Sequence, residues 1–310
     1  MNKSISIVIP VFRSGNILKE LCRRLEGILS SLTDQWEIIL VDDASNDGTF
    51  DRMQEIRVHD KRVKLVRFAR NMGQHHATLC GLQRASGDYV LTLDDDLQNP
   101  PEEIPRFIGK IDEGYDLVIG DIKGSKKHHW LRNVASRAIQ ALVGRILHKP
   151  QGLTLSSYRG MTKRVARAMS SFKGTHVYIP ALMLNSVPPD RICNISVQHD
   201  VRADGKSTYT LKKLLTLASY LLINHSRIPL RFVTTWGGLV SLASLAFAVF
   251  IVIKVLLYGS QFAGWASLAV LISFLAGNIL LCIGVLGEYI GRIIEENMAS
   301  SQFPIFEEHL

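Results

Sequence analysis

Residues Leu93-Asp94-Asp95-Asp96-Leu97-Gln98-Asn99-Pro100 follow directly on the apolar run Tyr89 to Leu93. Alternate side chains of a strand point the same way, so Asp94 and Asp96 leave its end on one side, and Gln98 can turn onto the same edge. Side-chain oxygens of this kind suit Mg²⁺ or Mn²⁺, hard ions that keep open positions for substrate phosphates. The chemistry to expect is the grip on a metal-chelated diphosphate. A solvated acidic turn is the plainer reading of three adjacent acids, and the other loops decide between the two.

Asp42-Asp43-Ala44-Ser45-Asn46-Asp47-Gly48-Thr49 offers a carboxylate to a base or ribose. Asn46 or Asp47 caps the next helix, which explains Asn46 to Thr49 but leaves Asp42 without a task. Asn71-Met72-Gly73-Gln74-His75-His76 has a glycine where the chain can turn and amides near a helix start, a place for a phosphate or a base edge. His75 and His76 lack a third metal partner and read as surface or packing residues. No Gly-x-Gly-x-x-Gly follows the first strand and no full Gly-x-x-x-x-Gly-Lys-Ser/Thr phosphate loop occurs, which argues against a dehydrogenase or a kinase.

The elements that must position these loops alternate. Ile5 to Val11 is a β-branched run with the character of a buried strand, and Asn16 to Leu32 has helical spacing in Ile17, Leu18, Leu21, Leu25 and Ile28. Trp36 to Val41 and Val63 to Phe68 read as strands, Thr49 to Val58 and His75 to Ala85 as helices, and Leu117 to Gly120 as a further strand. Such alternation implies a parallel sheet with right-handed crossovers, which binds ligands beyond the carboxyl ends of its strands. Phe12 to Gly15, Asp42 to Asp47, Arg70 to His76 and Asp94 to Gln98 each follow a strand, so four polar loops converge on one rim.

The chain has 310 residues, 47% of them apolar, enough for one full domain and more. Phe232 to Ile253 carries no charge, nor does Val255 to Gly287, which Tyr258-Gly259-Ser260-Gln261 interrupts. Each supplies a helix of roughly 20 residues, the length that crosses a ~30 Å hydrocarbon layer, so two membrane spans are expected. Lys254 near a helix end can extend its ammonium to the headgroups. Lys212, Lys213, Arg227 and Arg231 precede the first span and Arg292 follows the second, while the loop from Tyr258 to Trp265 is uncharged. Both termini are therefore expected in the cytoplasm. No apolar segment with a cleavage site opens the chain, and Cys22, Cys80, Cys193 and Cys282 have neither metal nor disulfide spacing, in keeping with a reducing compartment.

The net charge of +8 suggests an anionic partner. Its basic residues gather beside the spans and in Lys123 to Arg137, a placement that matches membrane lipids or lipid phosphates and argues against nucleic acid. Leu211 to Ile228 reads as an amphipathic interfacial helix that carries Lys212 and Lys213 toward anionic headgroups. Asn278 lies within the second span, where an amide is expected to bond between helices. The tail Gln302 to Leu310 suggests no role.

Five motifs stand in order along the chain: Ile9-Pro10-Val11-Phe12, Val41-Asp42-Asp43-Ala44-Ser45, Arg70-Asn71-Met72-Gly73-Gln74-His75, the run from Leu93 to Glu103, and Gly287-Glu288-Tyr289-Ile290-Gly291-Arg292. With the two spans they resemble the polyprenyl-phosphate glycosyltransferases of glycosyltransferase family 2, among them the dolichyl-phosphate mannose synthases, the bactoprenol glucosyltransferases and the undecaprenyl-phosphate 4-deoxy-4-formamido-L-arabinose transferases. The resemblance implies an α/β, GT-A (Rossmann-like), mostly parallel sheet domain followed by an interfacial helix and two transmembrane helices. It divides the chain into a cytoplasmic domain (1–208), a juxtamembrane helix (209–231), a transmembrane region (232–292) and a cytoplasmic tail (293–310).

On that resemblance a Mg²⁺ or Mn²⁺ ion on Asp94, Asp96 and Gln98 holds the diphosphate. Asp42, the loop Pro10-Val11-Phe12 and the loop with Asn71, Gly73 and Gln74 hold the nucleoside. Asp95, between the metal ligands, reads as a bystander to the metal and is grouped with the nucleotide site. Arg132 and Arg137 are the candidates for the acceptor phosphate, their forked guanidinium groups suiting its oxygens. Arg202 and Ser207 belong to a stretch, Arg202 to Tyr209, similar to a family element that folds over the sugar diphosphate, and Arg202 is grouped with Asp94 and Asp96 as catalytic.

The implied reaction moves one sugar from a UDP-sugar donor to a polyprenyl (undecaprenyl) phosphate acceptor at the inner face of a bacterial cytoplasmic membrane, for cell-envelope glycan or lipopolysaccharide modification. The family further suggests a homo-oligomer, a tetramer in form. Two departures from its pattern are visible: Arg13 and Ser14 stand where relatives often have Asn and Glu, and Gly152-Leu153 stands where they often have Gly-Asp ahead of the aromatic-Arg element Ser157-Tyr158-Arg159. The rival readings are a membrane-anchored nucleotide-sugar-binding protein without transferase activity and a processive synthase, the latter disfavoured because Gln-x-x-Arg-Trp is absent.

Overall fold

The computed structural model describes residues 3–122, 149–197, 228–258, 264–298 and 302–310. The chain forms two compact units, Met1–Thr210 with Ser301–Leu310, and Leu211–Ser300. In the first unit β1 (Ile5–Val11) pairs in parallel with β2 (Trp36–Asp42) and with β4 (Tyr89–Thr92), and β2 pairs in parallel with β3 (Val63–Phe68). These strands end in register, Val11 opposite Asp42 and Asp42 opposite Arg67, so the loops that leave them share one rim.

The β-branched run of β1 is buried on both faces, as a central parallel strand requires. Ile5, Ile7, Ile9 and Val11 enter one core with α1 (Gly15–Leu32) and α2 (Thr49–His59), while Val8 faces the opposite core with Ala77 and Cys80 of α3 (Gln74–Arg84). The helical spacing of α1 is matched by Leu18, Leu21, Leu25 and Leu29, all fully buried, each contributing roughly 1.5–3 kcal/mol. Gly81 lets α3 lie directly on the sheet: a Cβ there would sit 2.3 Å from a methyl of Val8.

Beyond β4 the sheet changes direction. β6 (Arg159–Thr162) lies antiparallel between β4 and β5 (Leu117–Ile122), and β5 pairs in parallel with β7 (Ile192–Val197). Helices α4 (Ile104–Asp112), α5 (Lys163–Ser170) and α6 (Ile179–Ser186) complete the two cores. The strand order is β7-β5-β6-β4-β1-β2-β3-β8, in which β8 (Ile305–His309) is the last stretch of the chain and runs antiparallel to β3. The segment that the sequence leaves as a tail is thus an edge strand of the first unit. Short segments with alternating exposure, such as β8, carry little periodic signal of their own.

The second unit holds two long helices, α7 (Ile228–Tyr258) and α8 (Trp265–Met298). Both present large apolar side chains outward, among them Leu239, Leu242, Leu256, Ile279 and Leu280. Phe274–Gly291 of α8, with a mean hydropathy of 1.7 and none of it buried, is long and apolar enough to cross a membrane; among the described residues it is the one stretch that qualifies. The pair of spans expected above therefore rests on the sequence. Asn278 does bond between helices, its Oδ1 accepting the indole N–H of Trp236 at 2.8 Å.

Candidate active site

The rim places Asp94, Asp95 and Asp96 just past β4, with Leu97 in a left-handed conformation (φ 59°). Arg13 and Ala44, in the loops after β1 and β2, share that conformation, each with φ 58°. Non-glycine residues seldom adopt it, and here three do so in neighbouring loops of one rim.

Asp94 is clamped on both oxygens. The Gln74 amide, at the start of α3, donates to Oδ1 at 2.5 Å, and the Ser157 hydroxyl donates to Oδ2. Burial pushes the Asp94 carboxyl up, Ser157 opposes this, and the nearby Asp96 adds to the rise while Arg159 and Gln74 lower it. Ser157 is fixed from behind, because its carbonyl accepts the Thr92 hydroxyl at 2.8 Å. Arg159, buried and held through Nε by the Ser156 carbonyl at 2.8 Å, is brought down to about 10 by burial. Two half-buried carboxylates side by side repel each other, and a cation that joins them relieves the cost.

Asp95 has a task that the sequence does not reveal. Its Oδ2 accepts the Phe12 backbone N–H at 3.0 Å, and Ser14 also bonds it, so it ties the loop after β1 to the loop after β4. Burial is the main reason its carboxyl rises to about 6. Ser14, where relatives often carry another residue, is therefore engaged within the rim. Gln98 donates its backbone N–H to Asp96 at 3.1 Å, and its side-chain Nε2 is buried without a hydrogen-bond partner among the described residues.

On the β2 side Asp42 is fully buried, its Oδ1 accepting the Ser45 backbone N–H at 3.0 Å and its Oδ2 lying 3.4 Å from Arg67 Nε. Burial raises this carboxyl too, with Ser45 and Arg67 opposing the rise. Asp43 faces the neighbouring loop and accepts the backbone N–H groups of Met72 (2.6 Å) and Gly73 (2.8 Å). That bond pair, with Gly73 at φ 88°, sets the turn that delivers Gln74 to Asp94. Asn71 donates to the Asp43 carbonyl at 3.3 Å. Pro10 and Val11 are buried at the end of β1, and Phe12 is exposed on the rim with the Arg13 guanidinium over its ring at 5.0 Å. The N-cap of α2 is Gly48, with no side-chain cap bond, rather than the expected Asn46 or Asp47; Asp47, one residue earlier, accepts from the backbone and hydroxyl of Thr49.

The histidine pair is structural. His75 stacks edge-on against Tyr178 at 5.0 Å, with burial bringing its imidazole down to about 4, and a ring nitrogen of His76 lies 2.8 Å from the Thr175 carbonyl. Among the described residues no three His, Cys, Asp or Glu side chains gather as a metal cage. Asp94, Asp96 and Gln98 come together with Asp95, Asp42, Asn71, Gly73 and Gln74, whereas Arg132, Arg137, Arg202 and Ser207, like the interfacial helix, lie outside the described residues. Leu153 is buried in the α3-side core, so that position supplies no base. Asp43, Ser157 and Arg159 are the site residues that sequence reasoning gave no role. The one signal for them is their place beside a motif, Asp43 next to Asp42 and Ser157 and Arg159 around Tyr158.

Several solved structures share this fold. Glucosyl-3-phosphoglycerate synthase from Mycobacterium tuberculosis in complex with phosphoglyceric acid superposes with a TM-score of 0.52 and 20% identity, over 72% of this chain and 80% of that one. Its complex with Mn²⁺, UDP and phosphoglyceric acid gives 0.52 and 19%, over 71% and 76%. The complex with Mn²⁺ and UDP-glucose gives 0.51 and 20%, over 71% and 77%. The likeness at this identity is one of fold, the α/β GT-A arrangement with its mostly parallel sheet. The profile of "Glycosyl transferase family 2" matches residues 6–189. That span takes in every loop of the rim together with Ser157 and Arg159, and the chain belongs to glycosyltransferase family 2.

Proposed function

We propose that this transferase binds a UDP-sugar at the rim with Mg²⁺ or Mn²⁺ and passes one sugar, with inversion, to a polyprenyl phosphate, undecaprenyl phosphate in a bacterial inner membrane. The donor half of this reading is supported by the placing of Asp42 at the carboxyl end of β2 and of Asp94, Asp95 and Asp96 just beyond that of β4. It is also supported by the Mn²⁺, UDP and UDP-glucose complexes of the mycobacterial enzyme. The acceptor half is carried by one observation: Phe274–Gly291 of α8 is long and apolar enough to cross a bilayer, and α7 beside it in sequence also turns large apolar side chains outward. The mycobacterial relative is described with phosphoglyceric acid, a soluble phosphate, so the shared chemistry is a phosphate-bearing acceptor and the apolar helices favour a lipid one.

Asp94 and Asp96, with the Gln98 amide oxygen, would hold the ion. The donor set fits, since two carboxylates and an amide leave the remaining positions to substrate oxygens and water, as Mg²⁺ and Mn²⁺ prefer. When bound, the ion supplies charge neutralisation for the departing diphosphate. The chain's own residues orient: Gln74 and Ser157 fix Asp94, Asp95 fixes Phe12, and Asp43 fixes the turn before α3. A lipid monophosphate is anionic at neutral pH and attacks the anomeric carbon without prior deprotonation, which is consistent with a buried leucine at position 153.

Arg132, Arg137, Arg202 and Ser207 are assigned to acceptor and diphosphate in the same reading, both termini to the cytoplasm, and the assembly to a homo-oligomer. The test is to incubate the purified full chain with UDP-sugars, Mn²⁺ and undecaprenyl phosphate and to weigh the lipid product. A glycosylated lipid is expected. Release of UDP only with a soluble phosphate acceptor would reject the lipid assignment, and release with none would favour a binding protein.

A further inference from the structure

We infer that the C-terminal strand β8 is a working part of the nucleotide pocket, with Phe306 acting as a positioning residue for Asp42 through Arg67. The observations are independent of the metal loop. Asp42 is fully buried, and its Oδ2, without a hydrogen-bond partner among the described residues, faces the Arg67 guanidinium 3.4 Å away. Arg67 in turn donates through Nη2 to the Ser45 carbonyl at 3.2 Å, so one side chain braces both the carboxylate and the turn that caps it.

What steadies Arg67 comes from the far end of the sequence. Its guanidinium lies 5.0 Å from the ring centre of Phe50 and 5.9 Å from that of Phe306, within reach of a cation–π attraction to each. The β3–β8 ladder runs Leu65 with His309, Val66 with Glu308 and Arg67 with Glu307, then slips so that Phe68 meets Ile305. Phe306 is the extra residue of that irregularity. A bulge re-aims the side chain it carries, and here the side chain it re-aims lies over Arg67.

The strand is tied down well beyond what an edge needs. Phe303 stacks on Phe68 at 5.8 Å, Glu308 pairs with Arg84, Gln54 donates to Glu307 at 3.0 Å, and Arg57 donates to the Leu310 carbonyl at 2.8 Å. Gln302 donates to the carbonyls of Phe172 and Gly174 at 2.9 and 3.0 Å. Phe306 itself is 70% exposed, so packing gives it little reason to be aromatic, whereas a ring over a guanidinium does.

This inference rests on the donor reading proposed above, in which Asp42 touches the nucleoside. The test is titration of the full chain in detergent with UDP and Mn²⁺, following heat, for the parent, Phe306→Ala, Phe306→Trp, Arg67→Ala and the Phe306→Ala/Arg67→Ala pair. Loss of one exposed cation–π contact should weaken UDP about three-fold in Phe306→Ala, with Phe306→Trp restoring it and the melting temperature falling by no more than about 3 °C. Phe306→Ala should add nothing once Arg67 is alanine. UDP affinity equal to the parent in Phe306→Ala, or an undiminished effect in the Arg67→Ala background, would overturn the positioning role. Absence of UDP binding by the parent would instead reject the donor reading beneath it.

Discussion

Asp95→Asn should stabilise the protein, because the rim holds a carboxylate at a cost. Burial lifts the Asp95 carboxyl from 3.8 to about 6, and a shift of about two units corresponds to on the order of 3 kcal/mol of disfavoured charge. Asparagine keeps the shape and can still accept the Phe12 N–H; the bonds of the anion are already counted in that shift, and the partial exposure of Asp95 discounts it to a net gain of about 1–2 kcal/mol. The sign follows from the native pKa lying above the unfolded one: between them the native state binds more protons, so stability falls as pH rises. The penalty is complete above pH about 6 and gone below about 4. For a domain of this size the gain amounts to roughly 2–8 °C in melting temperature. Melting the full chain in detergent without added metal, at steps from pH 8 to pH 4.5, should show Asp95→Asn melting higher at pH 8 and converging on the parent at the acid end. An asparagine variant no more stable at pH 8, or a difference that ignores pH, would refute the claim that this carboxylate is buried against its preference.

Three further outcomes follow from the same geometry. Ser157→Ala removes a donor from Asp94 and should move the pH midpoint of Mn²⁺ binding upward by about one unit, read by paramagnetic resonance of the free ion. Asp43→Ala frees the N–H groups of Met72 and Gly73 and should raise the donor KM about ten-fold with a smaller change in kcat. Asn278→Leu leaves the Trp236 indole N–H without its partner and should cost about 0.6–2 kcal/mol in denaturant titrations of the helix pair, with Trp236→Phe adding little on top.

Much of the parallel half of the sheet can be read from the sequence, because a central strand such as Ile5–Val11 must be apolar on both faces and α1 must present leucines at helical spacing. The carboxylates at Asp42, Asp94 and Asp96 are legible for a related reason, since charge at the end of a buried strand has no packing explanation. The tasks of Asp43, Asp95, Ser157 and Arg159 are not legible, because each depends on a partner in another loop that periodicity cannot supply. Strand β8 is hidden likewise: its pairing with β3 spans nearly the whole chain, and its exposed residues follow no core pattern. The second apolar helix reads clearly in composition, while its bonding partner for Asn278, Trp236 on α7, emerges only in three dimensions.

The central claim is that the rim binds a nucleoside diphosphate through a cation on Asp94 and Asp96, and equilibrium titration of UDP tests it most directly. UDP should bind the full chain with Mn²⁺ or Mg²⁺ present, lose at least about ten-fold in affinity with chelator, and lose the metal dependence in Asp94→Ala and Asp96→Ala. UDP that binds as tightly in chelator, or in both alanine variants with metal, would contradict it.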